Sequence, residues 1–405
     1  MKNNRIIDIT DKVKWIGILD YDIVTFDIVM KTDYGTTYNS YFIDAEKKTI
    51  IDTSKEKFED EYIQKVKEVV DPSEISYIVL NHTEPDHSGN LKALLELAPN
   101  AMVVGSGNAI RYLQDIIGTD FSYLQVKNGD ELSLGDKTLK FIGAPNLHWP
   151  DTIYTYLVED KLLFTCDSFG CHYCNKDMFD DEVGDFNMAF DYYFDVILKP
   201  YSKFVLKAIE KIRPLDIEMV CPGHGPILRS HWKNYVDRTE KFAKEYLKII
   251  DADIPTVLIA YVTAYGYTHE MAKAISEGIK QSGSIETVLL DLEFTSLGEM
   301  EEKLTGSSAL LVGSPTINQN TLFPVYKLFA VVNPIRDKGK PAASFGSFGW
   351  SGEAIGIVEQ NLKMLKFKLF GTNASYKFYP QKRKADELIA FGKAFGEFVL
   401  NQVKK

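Results

Sequence analysis

Asn81-His82-Thr83-Glu84-Pro85-Asp86-His87-Ser88 gathers four side chains with lone pairs, His82, Glu84, Asp86 and His87, within six consecutive positions. The apolar run 78–80 precedes it and predicts a buried strand, so the four fall on a loop just past a strand end, where rigid scaffolds present binding groups. A polar turn capping a helix that begins near Asn90 accounts for Thr83, Asp86 and Ser88 but for neither histidine. Imidazole mixed with carboxylate suits iron, manganese or zinc, whereas thiolate-rich sets favour zinc or iron–sulfur centres and all-oxygen sets favour magnesium or calcium. The stretch therefore reads as a metal site with three metals still open.

Three other junctions repeat the pattern of an apolar run closed by a ligand-type residue. His148 lies in Pro145-Asn146-Leu147-His148-Trp149-Pro150 after the run 139–142, and Asp167 in Thr165-Cys166-Asp167-Ser168 after 162–164. His224 lies in Cys221-Pro222-Gly223-His224-Gly225-Pro226 after 217–220. Of the remaining histidines, His231 and His269 have no other ligand candidates near them in sequence and read as surface or helix residues.

This set resembles the metallo-β-lactamase superfamily, which draws a two-metal site from a His-x-His-x-Asp-His loop and from later loops bearing His, Asp and His. The chain departs at Glu84, where hydrolases of that superfamily carry histidine. That departure is similar to the flavodiiron proteins, the branch that binds two irons. The resemblance implies an αββα sandwich over the first part of the chain. It also implies that His82, Glu84 and His148 hold one iron, that Asp86, His87 and His224 hold the other, and that Asp167 bridges them. His87 is left unligated in some members. His172 and Tyr193 resemble positions beside the substrate pocket, where an N–H or O–H stabilises bound oxygen or supplies a proton; ordinary core hydrogen bonding is the other reading.

Near residues 251–255 a charged helical stretch, 232–250, gives way to the apolar strand 256–262, which sets domains of 1–250 and 251–405. In the second part the apolar runs 288–290, 309–312 and 342–345 alternate with helical patterns, predicting a doubly wound parallel sheet. The loop Thr263-Ala264-Tyr265-Gly266-Tyr267-Thr268 leads into a helix over 270–281. Backbone N–H groups and the positive end of a helix dipole attract phosphate there, and Thr263, Thr268 and Tyr265 add hydroxyls. Without a lysine it is not a nucleotide P-loop, nor has it the glycine spacing of dinucleotide folds; it looks like the FMN phosphate loop of flavodoxins. Ser314-Pro315-Thr316-Ile317-Asn318 and Ser347-Phe348-Gly349-Trp350-Ser351-Gly352 follow strands at the same carboxyl edge, where open α/β sheets bind ligands. By resemblance these loops hold the isoalloxazine ring and ribityl chain, with Trp350 the nearby aromatic; core or subunit packing is the alternative fate of that ring. The first 250 residues read as two sheets between helices, with alternation over 24–30 and a hairpin through 41–43 and 49–51.

A chain of 405 residues, 45% hydrophobic and 25% charged, is long enough for two cores. The N-terminus lacks an apolar core region and no eighteen apolar residues run together, so neither a signal peptide nor a membrane span is expected, and a cytoplasmic setting follows. A net charge of −11 argues against nucleic acid. The acidic run 177–182 reads as a solvated loop. Cys166, Cys171 and Cys174 match the spacing of plant-type [2Fe–2S] ferredoxins, with Cys221 as a fourth thiolate, but a cluster there competes with Asp167 and His224 for the same loops.

The family resemblance implies reduction of dioxygen to water or nitric oxide to nitrous oxide at a diiron site fed by FMN. It also implies a head-to-tail homodimer or a dimer of dimers. No pair of Cys-x-x-Cys knuckles follows the flavin domain, so a separate electron donor, rubredoxin or reduced deazaflavin, is implied. Two alternatives stand beside this: a zinc hydrolase fused to a flavodoxin module, and a pure electron carrier whose first domain docks partners.

Overall fold

The computed structural model describes residues 5–26, 30–250, 254–378 and 382–403. The chain divides into two compact units, Met1–Glu245 and Tyr246–Lys405. The helix Trp232–Ile250 runs across that division, and the boundary expected at 250/251 adjoins residues 251–253, outside the described residues. Part of the alternating segment 24–30, namely 27–29, also lies outside them.

Among the described residues of the first unit, two sheets carry the architecture. One runs in the order Ile7–Asp8, Val13–Trp15, Tyr41–Ile43, Lys48–Ile51, Ile75–Val79, Met102–Ser106, Tyr123–Val126. Its pairings are antiparallel as far as Lys48–Ile51 and parallel beyond. The other runs Glu131–Ser133, Thr138–Gly143, Ile153–Leu157, Leu162–Cys166, Met219–Pro222. The hairpin expected through 41–43 and 49–51 is the antiparallel pair Tyr41–Ile43 with Lys48–Ile51.

Successive side chains of a strand point to opposite faces, and here each face finds a different partner. Trp15, Tyr41, Ile43, Ile51 and Val79 meet Phe141, Leu157, Leu162 and Phe164 between the sheets. Phe42, Ile50, Ile78 and Val103 point the other way, onto Tyr62, Val66, Leu91, Leu94 and Leu113 of the helices Glu59–Val69, Leu91–Leu97 and Gly107–Ile117. On the far side of the second sheet, Tyr154, Leu163 and Val220 pack on Phe190, Val205, Ile209, Val236 and Ala243 of the helices Asn187–Tyr193, Ser202–Ile212 and Trp232–Ile250. The result is the expected αββα sandwich, in which each fully buried large side chain contributes about 1.5–3 kcal/mol of transfer free energy.

The second unit is a parallel sheet in the order Glu286–Asp291, Thr256–Tyr261, Ala309–Gly313, Pro341–Phe348, with Lys368–Leu369 and Ala374–Lys377 both on the outer edge of Pro341–Phe348. Strand Thr256–Tyr261 is a continuous apolar run because both faces are covered. Val257, Ile259 and Tyr261 meet Met271, Ile275, Phe395 and Val399. Leu258 and Ala260 meet Met300, Leu304, Val325, Leu328, Val358 and Leu362. The helices Tyr267–Lys280 and Lys382–Val403 pack backbone to backbone: a Cβ at Gly278 would lie 2.0 Å from the Ile389 carbonyl oxygen, and one at Gly392 2.2 Å from that of Ile275. No helix among the described residues is long and apolar enough to cross a membrane.

Candidate functional site

Four strand ends and their loops deliver the ligand-type residues to one place in the first unit. The stretch 81–88 leaves strand Ile75–Val79 and, after Glu84, closes a helical turn, Pro85–Ser88, where the sequence predicts a loop. Proline at its first position fits a helix start, since no backbone N–H is needed there. This turn brings Asp86 and His87 round beside His82 and Glu84 in space.

The seven candidates form two sets. In the first, Glu84 Oε2 lies 3.3 Å from His82 Nε2 and 2.9 Å from His148 Nε2, and Asp167 Oδ2 lies 3.5 and 3.7 Å from the same two nitrogens. In the second, Asp86 Oδ2 lies 3.3 Å from His87 Nε2 and 3.1 Å from His224 Nε2, and Asp167 Oδ1 lies 3.1 and 3.6 Å from them. Asp167 thus gives one oxygen to each set.

Atoms bonded to one ion at about 2.0–2.2 Å stand about 3.0–3.5 Å from one another, close to the 2.9–3.7 Å seen here. Neither oxygen of Asp86 has a hydrogen-bond partner, although one is in close range of two imidazoles, and Asp167 Oδ2 is likewise unpaired. Asp86 Oδ2 and Asp167 Oδ2 thus stand at ligand spacing from imidazole nitrogens without bonding them. A buried carboxylate oxygen left this way costs about 1–3 kcal/mol, and a cation removes that cost, so the donor set fits two metal ions.

The electrostatics agree. Burial alone would raise the Glu84 carboxyl, but hydrogen bonds from His148 and His82 hold it below the usual carboxylate range. Burial opposes ionisation of Asp167 too, and His87, His82 and His148 pull it well below that range. Both therefore stand as carboxylates, the form that could bind a cation.

Around the ligands lies a layer that orients them. His82 Nδ1 is 3.1 Å from Asp151 Oδ2, which also accepts from the backbone N–H and the hydroxyl of Thr83, both at 2.8 Å. His224 Nδ1 donates to the Thr37 carbonyl at 2.6 Å, so its Nε2 is the nitrogen left for the site. Asn39 donates to the carbonyls of Pro222 and Gly225, and Tyr41 to that of Pro222, which pins the His224 loop. Gly223 is needed for space, because a Cβ there would lie 2.8 Å from His87 Cε1. Asp52 accepts from the backbone and side chain of Asn81, fixing the start of the ligand stretch. Four non-glycine residues near the ligands, Asp52, Asn146, Cys166 and Phe169, have positive φ, between 48° and 65°. Strain of this kind gathers where a site over-determines its backbone.

Tyr193 donates to Asp167 Oδ1 at 3.2 Å, and burial and that carboxylate push its phenol well above its ordinary pKa. His172 Nδ1 is 2.9 Å from the Thr36 hydroxyl while its Nε2 is buried without a partner. Burial and the neighbouring His224 push its pKa well down, so the ring is neutral.

In the second unit the three loops stand together at the carboxyl edge of the sheet. Gly266, at φ +82°, precedes the helix Tyr267–Lys280, and the buried Thr263 hydroxyl has no partner. Thr268 Oγ1 lies 3.4 Å from Ser347 Oγ, the Thr316 N–H donates to the Ser347 carbonyl at 2.9 Å, and the Ala354 N–H donates to Thr316 Oγ1. A Cβ at Gly346 would collide with the Ser314 carbonyl oxygen at 2.0 Å, so that glycine lets two loops touch. An unpaired hydroxyl beside a helix start suits a phosphate. Ala264, Tyr265, Ile317, Asn318 and Ser351 stand on the same loops. Tyr265 is 83% and Trp350 85% exposed, which removes core packing as the role of Trp350.

Residues 36–225 match the ODP family of beta lactamases and residues 259–392 match flavodoxin. The chain is 38% identical to the flavo-diiron protein FprA2 of Clostridium acetobutylicum over 401 residues, covering 97% of this chain and 99% of that one. The chain belongs to the flavodiiron protein family. A nitric oxide reductase of Moorella thermoacetica is 36% identical, covering 90% of this chain and 91% of that one. Among solved structures, rubredoxin oxygen:oxidoreductase from Desulfovibrio gigas superposes with a TM-score of 0.68 at 27% identity, covering 99% of this chain and 100% of that one.

For this flavodiiron protein, the sequence reading missed Asp151, Asn39, Asp52 and Thr37. Asp151 had a signal, a carboxylate three positions after His148; Thr37 acts through its carbonyl and had none. Of the cysteines, Cys166 lies with His87 and Asp167, and the groups of three or more potential ligands among the described residues contain no cysteine trio. His231 is half-exposed beside Asp180, and His269 bonds the Tyr261 hydroxyl; neither joins the metal cluster.

Proposed function

We propose that this chain reduces dioxygen to water, nitric oxide to nitrous oxide, or both, using two iron ions held by the first unit and FMN held by the second. Residues 1–250 are the diiron domain and 251–405 the FMN domain in this reading. The observation that carries it is the carboxylate of Asp167 shared between two ligand sets, one of them containing Glu84 in place of a third imidazole. Carboxylates favour redox-active iron, whereas zinc cannot change oxidation state. The relatives named for nitric oxide reduction and for rubredoxin and oxygen support the two substrates, and the zinc hydrolase is set aside.

His82, Glu84 and His148 would hold one iron and Asp86, His87 and His224 the other, with Asp167 offering an oxygen to each. Thr263 to Thr268 would take the FMN phosphate, and 314–318 and 347–352 its ring and ribityl chain, with Trp350 as the aromatic for the ring. When bound, two ferrous ions and reduced FMN supply four electrons, which with four protons turn dioxygen into two waters; two electrons and two protons turn two nitric oxides into nitrous oxide and water.

The chain's own residues set the rest. His172, neutral and with Nδ1 on Thr36, turns its unpaired Nε2 to the buried interior, and Tyr193 keeps its proton and lends it to Asp167. Each would steady a substrate oxygen atom by a hydrogen bond or supply it a proton. Asp151 and the Thr37 carbonyl hold the imidazoles in the tautomer that binds metal.

The reading extends to a cytoplasmic setting, which four free cysteines support, and to rubredoxin or a reduced deazaflavin as electron donor. A domain of this size has a radius of gyration of about 18 Å, so electrons cross most directly in a head-to-tail homodimer or a dimer of dimers. Metal analysis with a visible spectrum and anaerobic gas uptake tests the whole: two irons per chain, a flavin band and consumption of either gas are expected. Zinc alone, or iron and FMN with no gas uptake, overturns it, and full activity in a monomer overturns the dimer.

A further inference from the structure

The two ligand sets differ in what surrounds them. Glu84 and His148 keep 14% and 20% of their side-chain surface in solvent. Asp86, His87 and His224 are closed off: Phe26 stacks on His172 at 4.4 Å between ring centres and meets His224 edge-on at 5.4 Å. Behind His172 and Tyr193, on this closed side, lies a cavity of about 240 Å³.

Its shape follows from the helix Asn187–Tyr193. Met188 and Tyr192 sit one turn apart, as do Ala189 and Tyr193, so the four make a single helical face. Met188, 76% exposed, stands with Tyr34 and Tyr192 at the mouth, and Lys31 and Asp33 edge it. Ala189, His172 and Tyr193 are buried and make the floor. The floor is one side chain from the cluster, since Tyr193 bonds Asp167 and the His172 ring is 5.1 Å from that of His224.

An ordered water needs two to four polar partners. Among the described side chains lining this cavity, His172 Nε2 is the one buried nitrogen or oxygen without a partner, and the rest of the described floor is a methyl group and an aromatic ring already engaged through its hydroxyl. Such a space holds water weakly and a small apolar molecule well. We propose that this cavity is the chamber through which an uncharged diatomic gas reaches the Asp86–His87–His224 side of the cluster, apart from the open Glu84–His148 side. Ala189, the smallest residue on the wall, sets its width, and His172 and Tyr193 are the last side chains the gas passes.

The inference rests on the gas-reductase reading, and the test separates the two. Crystals of the wild-type protein under xenon pressure are expected to show xenon between Ala189 and His172, whether or not metal is loaded. Ala189→Phe fills that space; its iron-loaded, reduced form is expected to lose the xenon and to capture nitric oxide about tenfold more slowly in stopped flow, with iron and FMN contents unchanged. Met188→Trp at the exposed mouth, where folding is not at stake, is expected to slow capture by a smaller factor. Xenon absent from the cavity, or capture at the wild-type rate in both variants, overturns the chamber and leaves the reductase standing. A wild-type protein with two irons that captures no gas removes both.

Discussion

The metal cluster of the first unit is assembled from side chains, whereas the loop set of the second is assembled mostly from backbone. Seven ligand candidates in the first are held by a surrounding layer of carboxylate, carbonyl and amide partners, with four strained residues beside them. The second offers one unpaired hydroxyl, a helix start and contacts between main chains, with two large aromatics in the open. A side-chain site fails when one atom is moved; a backbone site tolerates most substitutions that keep the loop.

Removing the ligands should expose that difference most strongly. Chelation is expected to lower the stability of the first unit by about 4 kcal/mol relative to protein with metal at a thousandfold its Kd, read as a shift in its own calorimetric transition, while FMN removal moves the other transition. A single transition shifted by both treatments would break the comparison. Glu84→His should come next, with gas reduction falling by about a hundredfold or more and zinc displacing iron in metal analysis, while FMN content holds. Retained iron and activity would show that the carboxylate is not what selects the metal. Asp151→Asn keeps size but loses the anion behind His82; metal affinity in chelator competition is expected to fall about ten- to a hundredfold. Thr263→Val removes a hydroxyl that would bond a charged phosphate, so FMN binding should weaken about tenfold with metal content unchanged. Trp350→Ala ranks last: an exposed ring contributes about 1 kcal/mol by stacking, a few-fold in FMN affinity by fluorescence titration.

The same contrast decides what was legible in the sequence. His82, Glu84, Asp86, His148, Asp167 and His224 could be read because each closes an apolar run or sits beside a residue that does, and strand ends are where such groups emerge. The two-faced burial of Thr256–Tyr261 could be read because both faces demand apolar residues. The helical turn Pro85–Ser88 could not, since a turn of four residues leaves no periodicity. Nor could the Thr37 carbonyl and the Asn39 side chain, which meet the His224 loop from more than 180 positions away. The positive φ of Cys166 is imposed by the site, because nothing in a cysteine asks for that conformation.

One carboxylate reaches both halves of the cluster, and its two oxygens are joined through a single carbon. Were two ions bound on either side of it, the interval between them would be limited by the span of that one carboxylate more than by how accurately the loops fold, so thermal breathing of the sandwich would change the cage around the pair before the gap within it. Glutamate at 167 would keep the chemistry and displace the fulcrum, and asparagine would leave one ion held by its own side alone.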